Sequence, residues 1–262
     1  MLSPRPTLTV CLFAALGACS GSVPMDDPAA EAADSVEHTV TESALLLTAA
    51  DVATVPGGAR AQAAAAAARA AAVYRPPRCV QATAAGTALT YDFTDCTGPV
   101  GMTHVSGTLT VTYGVTAAGG LTVHAASTGL RVDGGTFDLD SDAGYTATAT
   151  GYSLVVQSRS GGVGPRGVHI SRAGEYTAAW EPGGQCLTLD GAWVTRVGAR
   201  TSATRVVALR RCGGHCPQPG GTVTYANGAA GEAVTITFPG GVNALWSTST
   251  RREGTLALTC MN

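Results

Sequence analysis

The chain contains no lysine, and all 16 of its basic residues are arginine. With only two isoleucines beside abundant Ala, Gly, Val and Thr, this is the bias of GC-rich coding. Arginine runs therefore carry no separate meaning. Aromatic residues number 14 in 262, too few for a thick aromatic core or for the two interfacial girdles of a transmembrane barrel. No apolar run approaches the roughly 20 residues that a membrane-spanning helix needs. The five histidines, at 38, 104, 124, 169 and 215, stand singly, and neither H-E-x-x-H nor G-x-S-x-G occurs. A net charge of −2 without interleaved basic and aromatic residues argues against nucleic acid. The sequence "GVGPRG" at 162–167 has the spacing of a dinucleotide fingerprint, but a strand-like "VHISR" follows where that motif requires a helix. It reads as a hairpin loop, and no cofactor is expected.

What the chain does have is alternation. In "GTLTVTYGV" Leu109, Val111, Tyr113 and Val115 share one face, and Thr108, Thr110 and Thr112 share the other. "TYDF", "GLTVHAA", "EYTAAW", "AVTITF" and "GTLALTC" behave alike, separated by turn formers such as "AAGG", "DGG" and "EPGG". About a dozen such segments from Cys79 onward predict an all-β, antiparallel meander curled into a sandwich or half-barrel. The strands are expected to be shorter than about ten residues, which also argues against a transmembrane barrel. Before them, 11 alanines within residues 59–72, bounded by "PGG" and "PP", predict a helix of about four turns in a segment 57–78. A small-residue helix of this kind is read as a spacer or as lying against the sheet. Residues 19–56 carry seven acids and no base. With little to bury, they are expected to form a disordered tether.

The amino terminus, "MLSPRPTLTVCLFAALGACSGS", has the layout of a secretory signal. Leu16, Gly17, Ala18 and Cys19, at the end of its apolar run, resemble the lipobox of bacterial lipoproteins. The resemblance covers only the first 22 residues. It implies cleavage after residue 18, a lipid on Cys19, attachment to a membrane and, because Ser20 follows, delivery to the outer membrane. The β region resembles secreted bacterial proteins of uncharacterised activity only in a general way, and no activity comes with that likeness. The function this suggests is a lipid-anchored envelope protein whose β domain, 79–262, binds or scaffolds without catalysis. The partner, protein or polysaccharide, is left open. An envelope hydrolase acting on wall or surface polymers, or a lectin-like binder using Trp180, Trp193 and Trp246, are the rival readings.

Two local patterns bear on sites. Asp138, Asp140 and Asp142 alternate along one strand, with successive side chains roughly 7 Å apart on one face, a weak candidate for a cation. The EF-hand pattern fails, because Ala143 and Ala149 stand where Gly and Glu are required. Outside the signal and Cys19, six cysteines remain, an even set suited to an oxidising compartment. Cys79 and Cys96 flank one hairpin. Cys186 and Cys212 have their midpoint in the turn "VGAR", provided a bulge falls at Asp190–Gly191. Four strands separate Cys216 from Cys260. Parity therefore favours Cys79–Cys96, Cys186–Cys212 and Cys216–Cys260, and "CGGHC" is no zinc site, since a second ligand pair is missing. Non-reducing peptide mapping is expected to return these three linked pairs. A peptide joining Cys212 to Cys216 would refute the scheme.

Overall fold

The computed structural model describes residues 28–50, 57–99, 104–117, 119–132, 134–147, 151–163, 169–181, 186–213, 215–227, 231 and 233–258. Two helices, α1 (Pro28–Ala50) and α2 (Gly58–Val73), precede thirteen strands. These are β1 (Val80–Ala85), β2 (Ala88–Cys96), β3 (Val105–Val115), β4 (Leu121–Val132), β5 (Gly135–Ala147), β6 (Tyr152–Val163), β7 (His169–Trp180), β8 (Cys186–Val197), β9 (Arg200–Cys212), β10 (Thr222–Asn227), β11 (Ala233–Thr237), β12 (Asn243–Thr248) and β13 (Glu253–Ala257). The strands form one antiparallel meander in sequence order, with β1 and β13 at its edges. The expected all-β curled meander is what the chain forms. The expected strand length is not: β3 to β9 run to 11–13 residues. Their alternation looks broken in the sequence because bulges interrupt it.

Three of those bulges share one construction. Between β4 and β5, Thr128 and Gly129 oppose the single residue Asp138; between β8 and β9, Val207 and Ala208 oppose Asp190; between β2 and β3, Thr94 and Asp95 oppose Ser106. Each time the second residue of the pair is left-handed, with φ of 64° at Gly129, 50° at Ala208 and 52° at Asp95. Its N–H then donates to the opposing side chain: Gly129 to Asp138 Oδ1 at 2.6 Å, Ala208 to Asp190 Oδ1 at 2.8 Å and Asp95 to Ser106 Oγ at 2.9 Å. An extra residue bends its strand and sharpens the local twist, which helps the sheet curl. The bulge expected at Asp190–Gly191 is present, but its extra residue lies on β9.

The curl brings one face of the sheet onto the helices. Helix α1 touches β4 and β5 on one side and β9, β10 and β11 on the other, so the sheet wraps around it. Helix α2 lies on β1, β2 and β3 through Ala63, Ala66 and Ala70, whose small side chains allow close approach. Tyr74 follows at its end, buried edge-on against Phe93 at 4.9 Å.

The disordered tether expected over residues 19–56 is corrected across its middle: residues 28–50 form α1. Pro28, with its fixed φ and no N–H to satisfy, suits the first helical position. Val36, Val40 and Ala44, each four residues on, make a buried apolar stripe that Leu45, Leu46 and Ala49 extend. The acidic composition hid that stripe. Residues 1–27, including the signal sequence and Cys19, lie outside the described residues.

Disulfides join Cys79 to Cys96 and Cys186 to Cys212, the pairs that parity favours. Cys216 is disulfide-bonded too, whereas Cys260 lies outside the described residues. Each bond closes its hairpin and restricts the unfolded chain, a gain of about 3 kcal/mol for loops of this size. The "GVGPRG" segment joins β6 to β7 antiparallel, with Val163 opposite His169; residues 164–168 lie outside the described set.

The shared bulge construction gives a test. Asp138→Ala and Asp190→Ala are each expected to lower the unfolding free energy by about 1 kcal/mol, the net value of one hydrogen bond. Ala208→Gly should raise it by a few tenths, because glycine relieves a left-handed cost of about 1 kcal/mol while adding unfolded-state entropy. Denaturant titration with and without chelator measures both effects; a chelator-dependent loss at Asp138 would favour the cation reading instead.

Candidate functional site

The interior seam between α1 and strands β5 to β9 is polar where a core is ordinarily apolar. Alternation turns Ser141, Ser158, Ser160, Arg172, Thr195, Ser202 and Thr204 inward, all of them buried. From α1 come Ser35, Thr39, Glu42 and Ser43, also buried. Ser35 is the hub. Its Oγ accepts from Trp193 Nε1 at 2.6 Å and lies 3.1 Å from Thr195 Oγ1 and 3.5 Å from Thr204 Oγ1. Its carbonyl accepts from Arg172 Nη1 at 3.3 Å, and the Arg172 guanidinium lies 4.2 Å over the Trp193 ring. Glycines make room for these rings: a Cβ on Gly174 would meet that of Trp193 at 2.3 Å, and one on Gly191 would meet that of Tyr176 at 2.4 Å.

One turn further along α1, Ser141 Oγ donates to Glu42 Oε1 at 2.7 Å, while Glu42 Oε2 has no hydrogen-bond partner. The Tyr176 hydroxyl stands close to Glu42 and Ser43. Burial, and then the Glu42 carboxylate, push its pKa well up. Burial lowers that of Arg172 against the opposing pull of Glu42. The two charges attract through the seam without forming a contact pair. Ser158 Oγ is a further buried hydroxyl left unbonded. His38 stacks at 4.1 Å on Phe137, with Nε2 3.2 Å from Ser160 Oγ. Burial and then the nearby Arg172 hold it well below 6.5, so it is neutral at neutral pH.

Ser160 and His38 stand within reach of a nucleophile and its base. A base must accept the proton, however, and Arg172 opposes charge on this imidazole. Among the described residues no carboxylate orients the His38 ring, since Glu42 turns to Ser141. The geometry suits holding a helix, not acyl transfer.

The sequence-derived candidates fall elsewhere. Asp138, Asp140 and Asp142 share the outer face as expected, yet each points to different work. Asp138 clamps its bulge, and Asp142 accepts from or pairs with His124 Nδ1 at 3.0 Å, with Asp140 at 3.9 Å. Among the described residues no group of three or more His, Cys, Asp or Glu is placed to hold a metal ion. Asp138 and Asp140 do border an open outer-face cleft of about 720 Å³, floored by Gly161, Ser171 and Ala173 and edged by Arg159 and Arg196. The tryptophans do not line a groove together. Trp193 is buried in the seam, and Trp246 packs over Gly254. Trp180 packs with Tyr145 and Tyr152 at centroid distances of 6.1 and 5.7 Å, which leaves no slot between the rings.

Compared with known proteins, the chain matches no family model, no curated protein and no solved structure. None of the described helices is long and apolar enough to cross a membrane.

A double-mutant cycle tests the seam. Glu42→Gln and Arg172→Met are each expected to destabilise by about 3 kcal/mol, because each leaves a buried charge uncompensated. The pair together should cost at least 1 kcal/mol less than the sum. Strict additivity in denaturant titrations would show the charges to be independent.

Proposed function

We propose that this is a lipid-anchored bacterial envelope protein, fixed to the outer membrane through an acylated Cys19, which displays a non-enzymatic β fold for binding or scaffolding. The observation that carries this reading is "LGAC" at residues 16–19, placed at the end of a short apolar run. The disulfides add support from an independent direction, because such bonds persist in oxidising compartments outside the cytosol. A diacylated and N-acylated cysteine holds essentially permanently, each buried methylene contributing about 0.8 kcal/mol.

Spacing strengthens the case for a display role. Eight residues, 20–27, separate Cys19 from the start of α1. Even fully extended they span at most about 30 Å. The anchor would therefore hold the fold close to the bilayer, with α1 as its stem. The outer-face cleft beside Arg159 and Arg196, with polar walls and a floor of small residues, is the surface best suited to a polar partner.

Metabolic labelling with a fatty-acid analogue provides the test. The wild type should take up label and fractionate with outer membranes, and Cys19→Ser should lose the label and leave precursor or soluble protein. Equal labelling of the variant would overturn the proposal.

A further inference from the structure

We propose that the stretch of α1 carrying Ser35 to Glu42 is a releasable plug in the concave face of the sheet, docked at neutral pH and expelled on acidification, with His38 as the group that reads the pH. The helix is held unequally along its length. Its carboxyl-terminal part is an apolar joint: Leu45, Leu46 and Ala49 are buried, and the Ala49 carbonyl accepts from the Tyr113 hydroxyl at 2.9 Å. From Ser35 to Ser43 it rests on the hydroxyls of Ser35, Thr39 and Ser43 and on Glu42, with Val36 and Val40 as its apolar share. Val36 and Val40 face β9 to β13 across a residual void of about 20 Å³. Beside them, the Tyr176 hydroxyl is buried close to Glu42 and Ser43, and Ser158 Oγ is buried without a hydrogen-bond partner among the described residues. Polar groups buried unpaired cost free energy that water would return on opening. Opening this part of the seam therefore returns more of its docking cost than opening the apolar joint would.

The charges facing His38 decide the sign. From β7 comes Arg172, a buried cation; from β6, the neutral Ser160; from β5, the Phe137 ring; from α1 itself, Glu42 one turn along; and Tyr176, also on β7, is neutral. Asp138 and Arg159 alternate onto the outer face, away from the seam. Among the described groups, the charge that acts on His38 is the Arg172 guanidinium, with the Glu42 carboxylate one turn along and a second buried guanidinium, Arg211, elsewhere in the seam. Protonation of His38 sets a further cation beside Arg172, in a place where Ser141 already occupies one oxygen of the Glu42 carboxylate. His38 has a lower pKa docked than free, so the docked state binds fewer protons. The stability it contributes is complete above 6.5 and falls as pH drops from there toward the docked pKa. Within that window the docked-to-released ratio falls by up to tenfold per pH unit. The proposal is independent of the lipid anchor.

Glu42, fully buried when the helix is docked, makes release visible. Purified protein would be treated with a glutamate-specific endopeptidase at pH 7.5 and pH 4.5. Cleavage after Glu42 would be followed by mass spectrometry and normalised to an unstructured peptide carrying the same sequence. Wild type should be protected at the higher pH and cut at least tenfold faster at the lower one, with the disulfide-linked sheet intact. His38→Gln, which keeps a polar partner for Ser160 but cannot gain charge, should stay protected at both. Equal protection of the wild type at both pH values, or acid-dependent cleavage that persists in His38→Gln, would overturn the proposal. Should that variant not fold, NMR titration of the wild-type His38 ring decides: its midpoint must lie below 6.5 and coincide with the onset of cleavage, and a mismatch refutes the switch.

Discussion

The fold depends on a sheet that cannot cover its own inner face. Thirteen strands in a meander with two free edges leave a trough, and α1 fills its middle. Neither partner is uniform. The strands at either end of the trough offer Leu89, Val111, Val223 and Ile236, whereas β5 to β9 set buried serines, threonines and Arg172 among their apolar residues. The helix answers in kind, with its valines and leucines at other angles from Ser35, Thr39 and Glu42. Ser35 touches Trp193, Thr195 and Thr204 through one oxygen, and Arg172 through its carbonyl. Sliding α1 by one turn, about 5.4 Å, would break all of these together. The seam thus fixes the position of the helix more sharply than it stabilises it, in keeping with the high desolvation cost of buried charge.

Curvature is the second half of that constraint. A sheet of long strands wraps a helix only where its ladders are interrupted, and the bulges at Asp95, Gly129 and Ala208 supply interruptions on three different strands. Each bulge N–H left without a ladder partner is taken up by an opposing aspartate or serine. Asp138 is committed to the backbone and Asp142 to His124, so the regular spacing that suggested a cation has another cause.

Most of the sheet was legible because half-buried strands write their inward face into every second residue. Even the Cys186–Cys212 pairing followed from counting to the turn at 197–200, where Val197 faces Arg200. Legibility failed where inward positions are polar. Ser141, Ser158, Thr195 and Ser202 look like solvent-facing residues, and Arg172 in "HISRAGEY" carries no sign that a tryptophan ring on the next strand will cover it. The same property hid α1. Val36, Val40 and Ala44 had the spacing of a helix face, but Ser, Thr and Glu around them read as a soluble tether, since their partners lie 99 to 169 residues away. Local and global patterns disagree most where a structure gives up packing for position.

That disagreement has a mechanical consequence. A helix docked largely through hydroxyls and charges opens more easily than one docked through leucines alone, because water can satisfy the polar groups that the opening exposes. The apolar joint at Leu45 and Leu46 then acts as a hinge, and the disulfides and ladders keep the sheet in register while the first turns of α1 move. If α1 is also the stem that carries the lipid, the element that closes the trough is the one nearest the membrane. Any pull or electrostatic change there acts first on the seam of Ser35, His38 and Glu42, and only afterwards on the apolar contacts behind it.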